Sequence, residues 1–197
     1  MLVAAARRGD VDGVVAALKA GEDPNQRQGG TLPMEEAVAC GRHLQITKLL
    51  IGARAEVDFI CGASCFSGAH KKKGKAMKMT GLMMVCDSVQ SGAPGNVLEF
   101  TKLLLESKAD VNRRDALGCT ALHHAVLFAQ SDNDSVQVVA ALLEASADVN
   151  VASDGVTVFG PNMKRLTPLD IALLRPLRQD QVSERQESET ERERTFD

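Results

Sequence analysis

Four places in the 197-residue chain carry side chains whose type and spacing could do chemistry. Cys61-x3-Cys65 followed by His70 offers three donors in one stretch, and zinc takes four such ligands in a tetrahedron. The obvious fourth, Cys86, falls beyond the stretch, whereas structural zinc sites usually pair a tight Cys-x2-Cys with a second ligand pair. The plain alternative is two small loop residues and a solvated His, and no cofactor or metal is expected. The segment HKKKGKAMK places Lys71, Lys72, Lys73, Lys75 and Lys78 in nine residues, the only dense positive charge in the chain. Such a run suits a nuclear-import signal or an acidic or phosphorylated partner, and by default is a solvated loop. It is not a phosphate-cradling loop: Gly68 and Gly74 are separated by five residues where four are required, and Ala76 follows Lys75 in place of Ser or Thr. His123 and His124 are adjacent, but no Ser, Cys or Asp partner can be set beside either from the sequence, so no nucleophilic dyad or triad is supported. Asn133-Asp134-Ser135 fits a glycosylation sequon, but the start MLVAAARRGD reads as no secretory segment, so modification there is not expected.

Composition narrows the classes further. Six Phe and no Trp or Tyr leave a core of Ala, Leu, Val and Met. That excludes aromatic platforms for single-stranded nucleic acid and aromatic cages for cations. The net charge of −3 lies wholly in residues 178–197, where four Arg face seven acidic residues, so nothing global attracts a phosphate backbone. No apolar run approaches the ~20 residues of a membrane span. Five irregularly spaced cysteines read as reduced thiols, and the expected compartment is the cytoplasm, with the nucleus open through the lysine run.

The elements that must position these groups repeat. KLLIGARAEVD (48–58), KLLLESKADVN (102–112) and ALLEASADVN (141–150) align, with a degenerate AALKAGEDPN at 16–25. Each is followed by a second element: LPMEEA (32–37), TGLMMV (80–85), TALHHA (120–125) or TPLDIA (167–172). Thr120 and Thr167 can serve a helix start, and Pro168 suits the first helical position, where its missing N–H costs nothing. Ala125 and Ala172 are small enough for two antiparallel helices to approach closely. Val138, Val139, Leu142 and Leu143 share one helix face, after which Asp and Asn supply the side-chain bonds of a turn. The unit T-P-L-H-x-A, apolar helix, A-D-V-N resembles the ankyrin repeat over roughly residues 2–174.

The resemblance implies an all-α solenoid of stacked antiparallel helix pairs with hairpin loops, in units near 1–25, 26–58, 79–112, 117–150 and 164–175. Spacings of 48, 40 and 47 residues between successive units exceed the ~33 of the family and assign insertions to 59–78 and 151–163, with further loops near 88–96 and 129–135. Residues 176–197 are expected to be a disordered charged tail. The helix-ending Gly of the family survives only at Gly21; Arg54, Lys108 and Ser146 stand at the equivalent positions. If they keep a left-handed backbone, each loses about 1 kcal/mol against Gly.

By the same resemblance His123 is a structural residue bonding backbone across the hairpins, and Asn112 and Asn150 stand where some family members are hydroxylated; His124, next to His123, could be exposed on the concave face. The implied activity is non-enzymatic binding of another protein by a monomeric scaffold, through hairpin tips and the concave face. Gln26, Arg27, Gln28, Arg113, Arg114, Leu117, Phe159 and Arg165 are the expected contact residues. The competing reading is a regulatory or substrate-recruiting piece of a larger enzyme, channel or ubiquitin ligase. Nucleic acid and membrane are not expected partners.

Overall fold

A computed structural model describes residues 1–40, 43–61, 78–87, 97–128, 133–154 and 165–174. The helices are α1 (Leu2–Arg8), α2 (Val11–Lys19), α3 (Pro33–Glu35, widening into a π turn over Glu36–Cys40), α4 (Leu44–Gly52), α5 (Gly81–Asp87), α6 (Val97–Glu106), α7 (Ala121–Phe128), α8 (Asn133–Glu144) and α9 (168–174). Among the described residues there is no strand, only the isolated bridges Gln28 to Thr31 and Ile60 to Thr80. The fold is all-α, as the repeat implied.

Odd-numbered helices stack on one another, α1 on α3, its π turn on α5, and α5 on α7; even-numbered ones form a second layer, α2 on α4, α4 on α6 and α6 on α8. The core lies between the layers. Leu2, Val14, Met34, Ile46, Leu50, Leu82, Phe100, Leu104, Leu122 and Leu142 are buried in one continuous cluster. A helix pair alone cannot cover its apolar face, so stacking supplies the core.

The odd helices from α3 onward begin with the same local device in different chemistry. The first residue of the repeated element presents an N–H that the helix cannot satisfy, and the side chain three residues on accepts it. Glu35 accepts from Leu32 N–H, His123 Nδ1 from Thr120 N–H at 3.0 Å, and Asp170 from Thr167 N–H at 2.8 Å. The Thr167 hydroxyl returns the favour by accepting from Asp170 N–H. Each even helix ends in a left-handed residue: Arg54, Lys108 and Ser146 have φ of 65°, 65° and 66°. The backbone geometry of the family's Gly is therefore kept without the Gly.

The first insertion starts later than expected. Phe59 is fully buried, Ile60 pairs with Thr80, and Cys61 N–H donates to the Met79 carbonyl at 2.9 Å. Phe59 is therefore core and not a loop aromatic: its ring lies against Gly81, where a Cβ would come within 2.7 Å of it. Burying such a ring contributes about 2–3 kcal/mol, which explains why the chain is pinned here. Helix α8 likewise takes in residues 133–135 of the expected loop, burying Ser135 of the sequon. The expected tail at 176–197 lies outside the described residues.

Candidate functional site

The hairpins form a row because each is hydrogen-bonded to the next. Asn25 Nδ2 donates to the Arg54 carbonyl at 3.1 Å while its Oδ1 accepts from Glu56 N–H at 2.7 Å. One repeat boundary further on from the middle of the chain, Asn112 makes the same pair of bonds, to the Ser146 carbonyl at 3.1 Å and from Asp148 N–H at 2.7 Å. Between them Asp58 stands where Asn would, and only its acceptor half survives, taking Asp110 N–H at 2.9 Å. A carboxylate has no hydrogen to give the Lys108 carbonyl.

The expected contact residues divide on inspection of this row. Arg27 bonds the carbonyls of Gly30 and Ile60 and pairs with buried Glu35. Gln28 bonds Thr31 and Glu22, and Leu117 packs half-buried in a small cluster with Cys119 and Ile171. Arg114 donates to the carbonyls of Gly118 and Ala152 and to Asp154. Arg27, Arg114 and Leu117 thus tie one hairpin to the next, and Gln28 closes its own. Gln26 and Arg165 are exposed at hairpin tips and Arg113 is half-exposed beside them; Phe159 lies outside the described residues. Arg114 and Arg165, 51 positions apart in the chain, share the walls of a cleft of about 490 Å³ with Ala152, Ser153 and Asp154. The buried Ser153 hydroxyl in this cleft has no hydrogen-bond partner among the described residues.

Thr120, His123 and Ala125 are buried, and His123 reaches from α7 to the next hairpin. The Thr120 N–H and hydroxyl both point at His123 Nδ1, so Nε2 carries the hydrogen and donates to the Leu166 carbonyl at 3.2 Å. Burial lowers the pKa of His123, which fits this neutral form. Thr167 caps α9, whereas Pro168 and Ala172 face an open groove.

His124 is not exposed. It is buried, with Nδ1 3.3 Å from Asp87 at the end of α5 and Nε2 3.2 Å from Asp115 in its own hairpin. Two carboxylates can only accept, so both ring nitrogens must donate and the ring is a cation. Burial opposes the charge, but hydrogen bonds to Asp115 and Asp87 outweigh it and raise the pKa to about 9. Asp115 Oδ1 meanwhile accepts from Leu117 and Cys119 N–H, at 2.7 and 2.9 Å.

The same rung occurs once more with the signs exchanged. Glu36 occupies the position of His124 two units earlier, and Arg7, in the position of Asp87, is its partner. At the last boundary the equivalent residues are Leu127 and Ile171, which meet as an apolar pair. These charged rungs were missed in the sequence because the pair lies 29 or 37 residues apart. The signal was present: both buried charges follow the cap-accepting residue, where an apolar side chain would suffice.

Of the zinc candidates, Cys65 and His70 lie outside the described residues, as do Lys71, Lys72, Lys73 and Lys75; Lys78 is exposed. Cys61 and Cys86 are thiols buried in the core, and burial, with the charge of Asp87, pushes the Cys86 thiol up to about 12. Among the described residues no group of three or more His, Cys, Asp or Glu side chains is placed to hold a metal ion. No described helix is long and apolar enough to cross a membrane.

Comparison with known proteins agrees with this architecture. Residues 93–132 match the model for ankyrin repeats in many copies, and residues 117–154 the model for a single ankyrin repeat. An ankyrin repeat protein of fowlpox virus (strain NVSL) is 30% identical over 152 residues, covering 70% of this chain and 78% of the viral one. Stacked helix pairs, left-handed helix ends, side-chain-bonded hairpins and these matches together make the chain a member of the ankyrin repeat family.

Proposed function

We propose that the chain is a non-enzymatic adaptor that binds another protein along its row of hairpin tips. Ankyrin repeats are generally protein–protein interaction modules and the family is generally non-enzymatic, which supports the class. The observation that carries the choice of surface is the cleft between the third and fourth hairpins. There Arg114 is held in place by three hydrogen-bonded partners, Arg165 is exposed, and the Ser153 hydroxyl is buried with no hydrogen-bond partner among the described residues. A buried hydroxyl without a partner costs about 1–3 kcal/mol, a cost that an incoming polar group of a partner would relieve. Arg113 and Gln26 extend the same edge.

The test is capture of partners from lysate by the intact chain, compared with a variant carrying Gln26→Glu, Arg113→Glu and Arg165→Glu and with a chain whose 62–77 stretch is shortened. All three substitutions lie on exposed or half-exposed side chains and should leave the melting temperature unchanged. Loss of a specifically captured protein by the triple variant supports the hairpin surface. Undiminished capture by it removes that surface from the reading, and loss on shortening alone moves the contact to the insertion.

A further inference from the structure

The described exposed large apolar side chains are concentrated at one end of the stack. Besides Met1 they are Val136, Leu143, Val149, Leu169 and Leu173, all on α8, its following hairpin and α9. Between these elements runs a groove of about 330 Å³ with almost entirely apolar walls, among them Val139, Leu143, Val149, Leu169 and Ala172, with Asn150 at its rim. It occupies the next place in the layer formed by α2, α4, α6 and α8. Leu143 is 44% exposed there, whereas Leu105, at the same register of α6, is packed into the core margin under α8. Ala172, whose size would admit a close antiparallel helix, is exposed in the groove.

Asn150 says what kind of segment fits. Asn25 and Asn112 at its register each bond the backbone of the turn that ends the next even-layer helix, the left-handed residue's carbonyl and the N–H two residues on. Asn150 keeps its main-chain bond to Asp148 and has its side chain exposed at the groove. The occupant is thus a helix that ends in a turn at Asn150. Charge says whose helix it is. The acidic or basic residues next in sequence to the wall residues are Glu144, Asp148 and Asp170, all acidic. Residues 175–197 supply only Leu177, Val182 and Phe196 as large apolar side chains, with five Arg against seven acidic residues. They lack a helical apolar stripe and carry the wrong sign. A second copy of this end would set like charges against each other.

We propose that this groove receives a basic amphipathic helix from a partner protein, its apolar stripe on Leu143, Val149 and Leu169 and its C-terminal turn bonded by Asn150. This surface is separate from the hairpin cleft, so either reading can fail without the other.

The probe is a synthetic 16-residue helical peptide with leucines at i, i+4, i+7 and i+11, lysines on the remaining faces and a C-terminal Gly-Ala, titrated into the full-length chain by NMR and fluorescence anisotropy. A second peptide has glutamates in place of the lysines. Saturable binding of the lysine peptide, shifting resonances of Leu143, Val149 and Ala172, is expected, with the glutamate peptide weaker by roughly tenfold or more. Leu169→Glu and Leu143→Glu should each weaken the lysine peptide roughly tenfold, and Asn150→Ala roughly threefold to tenfold, with unchanged melting temperatures. Equal binding of both peptides, or binding indifferent to Leu169→Glu, overturns the proposal. So does a chain that sediments as a dimer abolished by Leu169→Glu, which would make a second copy the occupant. Nuclear Overhauser contacts from Leu177 or Val182 to Leu169 would overturn it in favour of the chain's own C-terminal residues.

Discussion

His124 Nε2 lies 3.2 Å from Asp115 Oδ2 inside one repeat, while its Nδ1 reaches back 3.3 Å to Asp87 of the repeat before. A cationic ring thus joins two repeats through two carboxylates. Because its pKa in the fold, about 9, exceeds the ordinary 6.5, its contribution to stability is complete below pH 6.5 and is lost as pH rises through 9. The size of that contribution is about 3 kcal/mol at most. His123 works in the opposite sense: its pKa is lowered, so its contribution is complete above 6.5 and fades as pH falls below that value. Urea denaturation across pH 5 to 10 should therefore show a maximum near neutrality. His124→Leu should lose the alkaline limb and about 2–3 kcal/mol at pH 7, because buried Asp115 is left without its cation. An alkaline limb that persists in His124→Leu places its origin elsewhere.

Lys108 and Ser146 hold φ of 65° and 66° with a Cβ that this region disfavours. Lys108→Gly and Ser146→Gly should each stabilise the fold by about 0.5–1 kcal/mol, raising the melting temperature by about 2–4 °C for a domain of this size. The flanking hydrogen bonds are main-chain ones and survive the change. A lowered melting temperature would mean that side-chain contacts outweigh the strain.

The Asn ladder has one incomplete rung, and it can be completed. Asp58→Asn keeps the acceptor for Asp110 N–H and adds an N–H for the Lys108 carbonyl, as Asn25 and Asn112 already do for their own turns. A gain of about 0.5–1 kcal/mol in thermal or urea unfolding is expected. Asn112→Ala should cost about 1–2 kcal/mol for two lost bonds. If Asp58→Asn is neutral while Asn112→Ala is not, the Lys108 carbonyl is already served by solvent.

Gly81 begins α5, where Ala would ordinarily be the better helix former. Its absent side chain makes room for Phe59, so Gly81→Ala should destabilise by about 1–3 kcal/mol through overpacking. Phe59→Leu should cost stability alone yet recover part of the Gly81→Ala loss when the two are combined. Additive losses in that double-mutant cycle would show that the two positions do not press on each other.

The helix pairs, their order and the left-handed ends at Arg54, Lys108 and Ser146 were legible because each depends on residues within one turn of helix or hairpin. Thr120 and Thr167 stood out as helix starts for the same reason, although their partners His123 and Asp170 came only from the structure. Misreadings fell where spacing was silent. Phe59 looked like a loop aromatic because it begins a stretch without period, yet it is its contact with Gly81, 22 positions on, that decides its place. His124 looked exposed because the residue after the cap-accepting His has no fixed type in the repeat. Arg27, Arg114 and Leu117 also bond to the next hairpin, a role that spacing does not announce because their partners lie 33 to 38 residues on.

What the sequence by itself determined is therefore the family, the all-α class and the local chemistry of each unit, since helix periodicity, caps and turns act over a few residues. Which repeat touches which charge was settled only by stacking. Arg7 finds Glu36, Asp87 finds His124, and Asn112 finds Ser146 because each unit is set on its neighbour at a fixed displacement, bringing together groups 29 to 37 residues apart. The groove beside Asn150 has the same origin. A lone helix face carries no mark of being covered or open, and it is the place of α8 as the last described helix of its layer that leaves Leu143 exposed beside Leu169 of α9.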